Sequence, residues 1–295
     1  MYKLNKRGIG ITFDWIFSIV AGVLIFSFLI YFAVQNTDLF GKVTARIVAE
    51  ELDILFSGYE TTQTKSVLDF DKNVKLDFSC DKINKRQRFM INDREGKNLW
   101  GKIIFSPKSV ESDKINVATV SWDVPFRVAN FIFIWDKEYR INEMYETDSE
   151  LIDKFKGAGE EIEIQEYNEG IDCKGAKKGI KTIYYSDTGE GQVCFNGSND
   201  PIKFFGEAMM VGAVLSDKDN YLCIKDAINM KLEIMRKVFE NKKNNLVGSN
   251  KFCNEDYSIL VNRIPTNVDD LDYSGFKLLK DRNTDLIVKG CASVF

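Results

Sequence analysis

The chain has 295 residues, of which 44% are hydrophobic and 28% charged, a balance that can bury a core and excludes wholesale disorder. A net charge of −4 and a pI near 5.3 leave no basic surplus for a nucleic-acid backbone, so nucleic acid is not expected as a partner. Histidine is absent altogether, which excludes serine–histidine and cysteine–histidine nucleophile pairs, HExxH zinc sites and C2H2 fingers.

From Trp15 to Thr37 there are 23 residues without a charge. Their apolar heart, WIFSIVAGVLIFSFLIYFAV, would extend about 30 Å as a helix, the thickness of a bilayer hydrocarbon core. A cleaved secretory signal is the rival reading, but its apolar run is normally about 7–15 residues and ends in a small-x-small site. Tyr31-Phe32-Ala33-Val34-Gln35 offers no such site, so an uncleaved anchor in the lipid bilayer is expected. Lys3, Lys6 and Arg7 precede the span with no acid among them, whereas Asp38, Lys42, Arg46, Glu50 and Glu51 follow it. The positive-inside rule then keeps the N-terminus cytoplasmic and places the rest of the chain outside the cell membrane.

The leader Lys6-Arg7-Gly8-Ile9-Gly10-Ile11-Thr12-Phe13-Asp14-Trp15 resembles the class III signal of archaeal and bacterial type IV pilin-like proteins. That resemblance implies cleavage after a glycine, Gly8 or Gly10, and an assembly role for the acid Asp14 near the start of the mature helix. The family carries this acid at the fifth mature position. A cut after Gly8 makes Asp14 the sixth residue and a cut after Gly10 makes it the fourth. An acid in the first turn of a helix is also what the helix dipole favours, without any assembly role.

Beyond the span, Leu39, Phe40, Val43, Ile47 and Ile54 share one helical face, and Asp38, Lys42, Arg46 and Glu50 run at spacing four on another. A helix of about 45 residues to Tyr59 is expected. It reads equally as a pilin-like long helix and as a membrane-proximal stalk. The polar run Glu60-Thr61-Thr62-Gln63-Thr64-Lys65 should break it. Strand-like runs follow at 74–80, 88–91, 102–105, 116–122 and 127–135, separated by turn-forming stretches. The last is almost continuously apolar, as for a central strand covered on both sides. Trp122, Phe126, Phe131, Phe133 and Trp135 are expected in the core, in preference to an exposed ligand platform. Farther along, 149–156 reads as a short helix, and 161–167, 180–185, 192–195 and 209–215 read as strands. Ser216-Asp217-Lys218-Asp219 caps a helix running to about Asn241, and shorter helices are expected over 255–263 and 285–290.

The fold class expected is α+β: an N-terminal transmembrane helix continuing into an amphipathic helix, then a mixed antiparallel-β and helical extracytoplasmic head. The divisions are a cytoplasmic basic leader (1–13), a transmembrane helix (14–37), an amphipathic stalk helix (38–62), a β-rich domain (63–148) and an α+β domain (149–295) with most of the cysteines.

Six cysteines, an even number on the outer side, favour disulfides. The expected participants are Cys173, Cys194, Cys223, Cys253 and Cys291, with Cys223 stapled to Cys253 or Cys291. Asn196-Gly197-Ser198 fits the glycan-acceptor pattern. Asp187-Thr188-Gly189 lacks the second triplet an aspartic protease needs and reads as a turn. The acid-rich Asn267 to Asp272 stretch lacks EF-hand spacing and reads as a solvated loop. With no catalytic constellation or metal-ligand spacing legible, no catalytic residue, cofactor or metal is expected. A membrane-anchored surface protein with structural or binding duties is anticipated, including a pilin-like subunit with self-assembly or other protein partners at the cell surface. An anchored accessory subunit of an envelope complex and an anchored enzyme using Asp, Glu, Lys or Tyr are the alternatives.

Overall fold

The computed structural model describes residues 7–81, 84, 86–145, 147, 149–168, 172–175, 179–196, 198–247 and 253–295, with the side chains of 7–14, 33–44, 175 and 247 outside that description. The fold is mixed α+β, and the chain forms two compact units that divide between Val48 and Ala49. Helix α1 (Arg7–Tyr59) supplies the first unit. No proline interrupts it, and its stretch Trp15–Phe32 presents apolar side chains outward with none of them buried. An apolar helix without a covered face has no soluble-core explanation.

In the second unit the last turns of α1 become amphipathic. Ala49, Leu52 and Phe56 are buried, and the Phe56 ring meets Phe89 edge-on at 5.9 Å between centroids. Lys102, itself buried, places its ammonium 2.6 Å from Asp53 and ties the helix to the sheet below. The helix ends as expected: Thr61 and Thr62 turn their hydroxyls back to the Gly58 carbonyl, a local bond that competes with further helix.

Two mixed sheets follow. The first has the order β3-β2-β1-β5-β6-β4, built from β1 (Lys65–Asp81), β2 (Arg86–Ile91), β3 (Glu95–Asn98), β4 (Ile103–Phe105), β5 (Ser109–Asp123) and β6 (Arg127–Trp135). All its pairings are antiparallel except β4 with β6. Strand β6 is not central but second from the edge, between β5 and the short edge strand β4, and it is nevertheless buried over its last seven residues, as its continuous apolar run requires. Strand β1 begins nine residues before the expected run because 65–69 pairs with β5, its side chains alternately exposed and half-buried, ahead of an irregularity between Asp69 and Val74. The second sheet has the order β11-β10-β9-β8-β7 and opens with β7 (Tyr139–Glu143), ahead of the composition change near residue 148. Strands β8 (Glu160–Glu166), β9 (Lys181–Tyr185), β10 (Glu190–Cys194) and β11 (Ile202–Phe205) complete it. Between β7 and β8 lies the short α2 (Glu150–Asp153), capped by Ser149, whose side chain accepts from the Ile152 N–H.

The run 209–215 is not a strand. It belongs to α3 (Glu207–Leu215), entered through Gly206 at φ +88°. Ala208 through Leu215 are all buried, and a helix satisfies its own backbone groups where no sheet edge is offered. Gly212 is needed there, because a β-carbon would stand 2.3 Å from the Phe105 ring. One core joins Phe105, Phe131 and Phe133 of the first sheet, Ile162 and Ile183 of the second, α3 and the inner face of α4 (Lys218–Val247). A second cluster gathers Phe126, Phe239, Tyr257, Leu260, Leu279 and Leu286 under α5 (Asn254–Asn262) and α6 (Tyr273–Val288). Helix α6 starts twelve residues earlier than its expected counterpart, because Asp272 caps it by accepting from the Gly275 N–H at 2.5 Å.

Candidate functional site

In the second unit an open cavity of about 690 Å³ lies where strand ends of both sheets meet the start of α4. Its walls are 78–80 on β1, 107–108, Tyr139 on β7, Glu160 on β8, Lys181 on β9, 195–196 after β10, and 215–220 between α3 and α4. The rim segments are loops and strand ends, which is where fold and chemistry usually meet.

The α3–α4 turn is held from several directions. The Lys181 ammonium donates to the carbonyls of Val214 and Ser216, each at 2.8 Å, and so closes the C-terminal end of α3. Asp217 caps α4 by accepting from the Asn220 N–H at 2.8 Å, in keeping with the cap legible in the sequence. Asn220 is buried and reaches both the Ser106 carbonyl and the Gln87 side chain, which in turn bonds Ile104 on β4. The disulfide Cys80–Cys223 then fastens the β1 wall to the first turns of α4. The N-terminal end of a 30-residue helix, with its partial positive charge, is thereby presented at a fixed place beside the cavity.

Charge in and around this site is unusual. Of the three buried lysines among the described residues, Lys102 faces Asp53 and Lys225 faces Asp269 at 2.5 Å, but Lys181 has no ion pair and is held by the two carbonyls and the face of the Phe195 ring, 5.4 Å from its centroid. Burial pushes its ammonium down to about 8, against weaker support from Glu160 and Asp217. Tyr139 is pushed in the opposite direction by burial, then by Glu160 and Asp136, and stays a neutral phenol. On the rim, the exposed Lys108 and Glu160 have no ion-pair partner among the described residues. Ser216 is fully buried in the wall, yet its hydroxyl has no hydrogen-bond partner among the described residues.

The six cysteines form three disulfides, Cys80–Cys223, Cys173–Cys194 and Cys253–Cys291, and none is free. Cys223 therefore pairs with Cys80, outside the distal set, and Cys253 and Cys291 pair with each other. The cause is topological: β1 returns under α4, a long-range neighbour that spacing along the chain does not disclose. Asn196 is exposed at the cavity mouth, with its Oδ1 accepting from the Gly179 N–H, while Gly197 of the same triplet lies outside the described residues. Gly8, Gly10 and Asp14 sit on the α1 backbone, and the Asp14 side chain lies outside that description.

The triplet at Asp187 forms a turn, with the Gly189 N–H donating to Ser186 and Asp187 accepting from the Tyr145 hydroxyl. The stretch from Asn267 to Asp272 is engaged in capping: Asn267 accepts from the Asp269 N–H, Asp269 pairs with Lys225, and Asp272 caps α6. Trp122, Phe126, Phe131, Phe133 and Trp135 are all buried, and the Trp122 indole donates to the Phe205 carbonyl at 2.8 Å. They are core. Among the described residues no group of three or more histidine, cysteine, aspartate or glutamate side chains is placed to hold a metal ion. The cavity is not legible in the sequence because its lining comes from seven separate segments. Lys181, in an apolar strand flanked by Ile180 and Ile183, was the one legible signal.

No protein-family model, curated protein or solved structure matches this chain.

Proposed function

We propose that the protein is a single-pass, membrane-anchored surface protein whose disulfide-stapled head lies outside the cytoplasm and serves a structural or binding role. The observation that carries this reading is the Trp15–Phe32 stretch of α1, charge-free, long enough for a hydrocarbon core and without one buried side chain. Three disulfides in the second unit support an oxidising compartment for the head. The basic flank at Lys3, Lys6 and Arg7 supports a cytoplasmic N-terminus.

Extraction of native membranes at alkaline pH, followed by intact-mass and N-terminal mapping, tests the reading. Retention in the pellet with an uncut leader supports a plain anchor. Retention with a start at Ile9 or Ile11 supports the pilin-like form, in which Asp14 belongs to subunit assembly. Quantitative release into the supernatant would sink both. An accessory subunit of an envelope complex would co-purify with fixed partners in stoichiometric amounts.

A further inference from the structure

Helix α1 buries Ala49, Leu52 and Phe56 on one side, and the side turned away from them carries large apolar residues without a cover. Ile47 is 53% exposed and Ile54 70%. Single exposed apolar residues are ordinary on a protein surface. These two stand seven residues apart on one helical face, and sequence spacing extends that face to Phe40 and Val43. Phe40, Ile47 and Ile54 then hold the first core position of three successive heptads, with Val43 and Glu50 at the second. Glu50 is the one polar member, and its carboxylate is engaged by Lys97 at 3.2 Å. Lipid does not cover this face. At the rise of an α-helix, Ile47 lies about 20 Å and Ile54 about 30 Å along α1 beyond Val34, where the apolar run ends, and a headgroup layer is only about 5–8 Å deep.

We propose that two copies anchored in one membrane pair in parallel along this face, with Ile47 and Ile54 of one chain meeting the same residues of the other. The inference rests on the membrane anchor proposed above, which presents both copies the same way up and at one height. Charge selects a second copy as the occupant. Arg46 and Glu51 flank Ile47, and both are exposed and without an ion pair among the described residues. In a parallel helix pair, flanking residues five apart in sequence face each other across the seam, so Arg46 of each copy meets Glu51 of the other. The acid beside Ile54, Asp53, is held by Lys102 within its own chain, and the residue opposite it, Gly58, brings no charge against it. Because Phe56 turns toward Phe89 of the first sheet, each sheet lies on the outer side of the pair.

The test is sedimentation equilibrium of the full chain in density-matched detergent micelles. A reversible dimer is expected. Ile47→Ser combined with Ile54→Ser should weaken it by about tenfold or more, and so should R46E or E51R alone, because a reversal sets two like-charge contacts in place of two pairs. R46E and E51R together should restore the original affinity, which a merely sticky surface would not do. All of these positions are exposed, and three disulfides retained by intact mass confirm that each variant is folded. A chain that is monomeric at every concentration, a dimer indifferent to the isoleucine changes, a double reversal no tighter than the singles, or assemblies larger than two would each overturn the proposal. So would a different subunit, present in fixed stoichiometry in protein from native membranes and released by the isoleucine changes. Release at alkaline pH sinks the membrane reading by itself, whereas a chain that stays in the pellet and is monomeric sinks only the seam.

Discussion

Replacing both Cys80 and Cys223 by alanine is expected to destabilise the head more than removal of either other disulfide. The bonds close loops of 143, 38 and 21 residues for Cys80–Cys223, Cys253–Cys291 and Cys173–Cys194. In the chain-entropy description these constrain the unfolded chain by about 5, 4 and 3 kcal/mol respectively. The longest loop therefore exceeds the shortest by about 2 kcal/mol, or roughly 5 °C in Tm for a unit of this size. The assay is urea unfolding of the three double variants in detergent, followed by tryptophan fluorescence, since Trp122 and Trp135 are buried in the shared core. If the Cys80/Cys223 variant is no less stable than the Cys173/Cys194 variant, loop closure does not control the stability of the head.

Further outcomes follow from single side chains. Gly212→Ala should cost about 1–3 kcal/mol by overpacking against Phe105, and an unchanged midpoint would contradict the close approach of α3 to β4. Phe56→Ala should cost about 3–5 kcal/mol, measured as loss of urea midpoint, because a fully buried ring packed on Phe89 is removed. Lys181 has a depressed folded value, so the unfolded chain binds more protons between about 8 and 10.5 and stability rises with pH in that window. From pH 7 to pH 9 the gain should be about 1 kcal/mol in the native chain and absent in Lys181→Met, and equal slopes would refute the buried ammonium.

Much of this architecture is legible in the sequence where one physical signal dominates. The charge-free span, the break after Tyr59, the buried strand β6 and the Asp217 cap of α4 each follow from periodicity, burial or capping chemistry. The run Met209 to Leu215 misleads because it is apolar on every side, and in that case a buried strand and a buried helix have the same pattern. Helix α6 is hidden by Gly275 in its first turn and by Asn283 and Thr284 later, weak helix formers overridden by packing of Leu279 and Leu286. The partner of Cys223 and the cavity share one obstacle. Both depend on β1 and α4 lying together, a contact across 143 residues that no local pattern encodes.

The central claim is that the head stands outside the cytoplasm, and protease added to intact cells measures it most directly. The account predicts digestion of the region beyond residue 37, with a protected fragment that keeps Lys3, Lys6 and the Trp15–Phe32 span. A head that stays whole on intact cells and is cut only after lysis would contradict it.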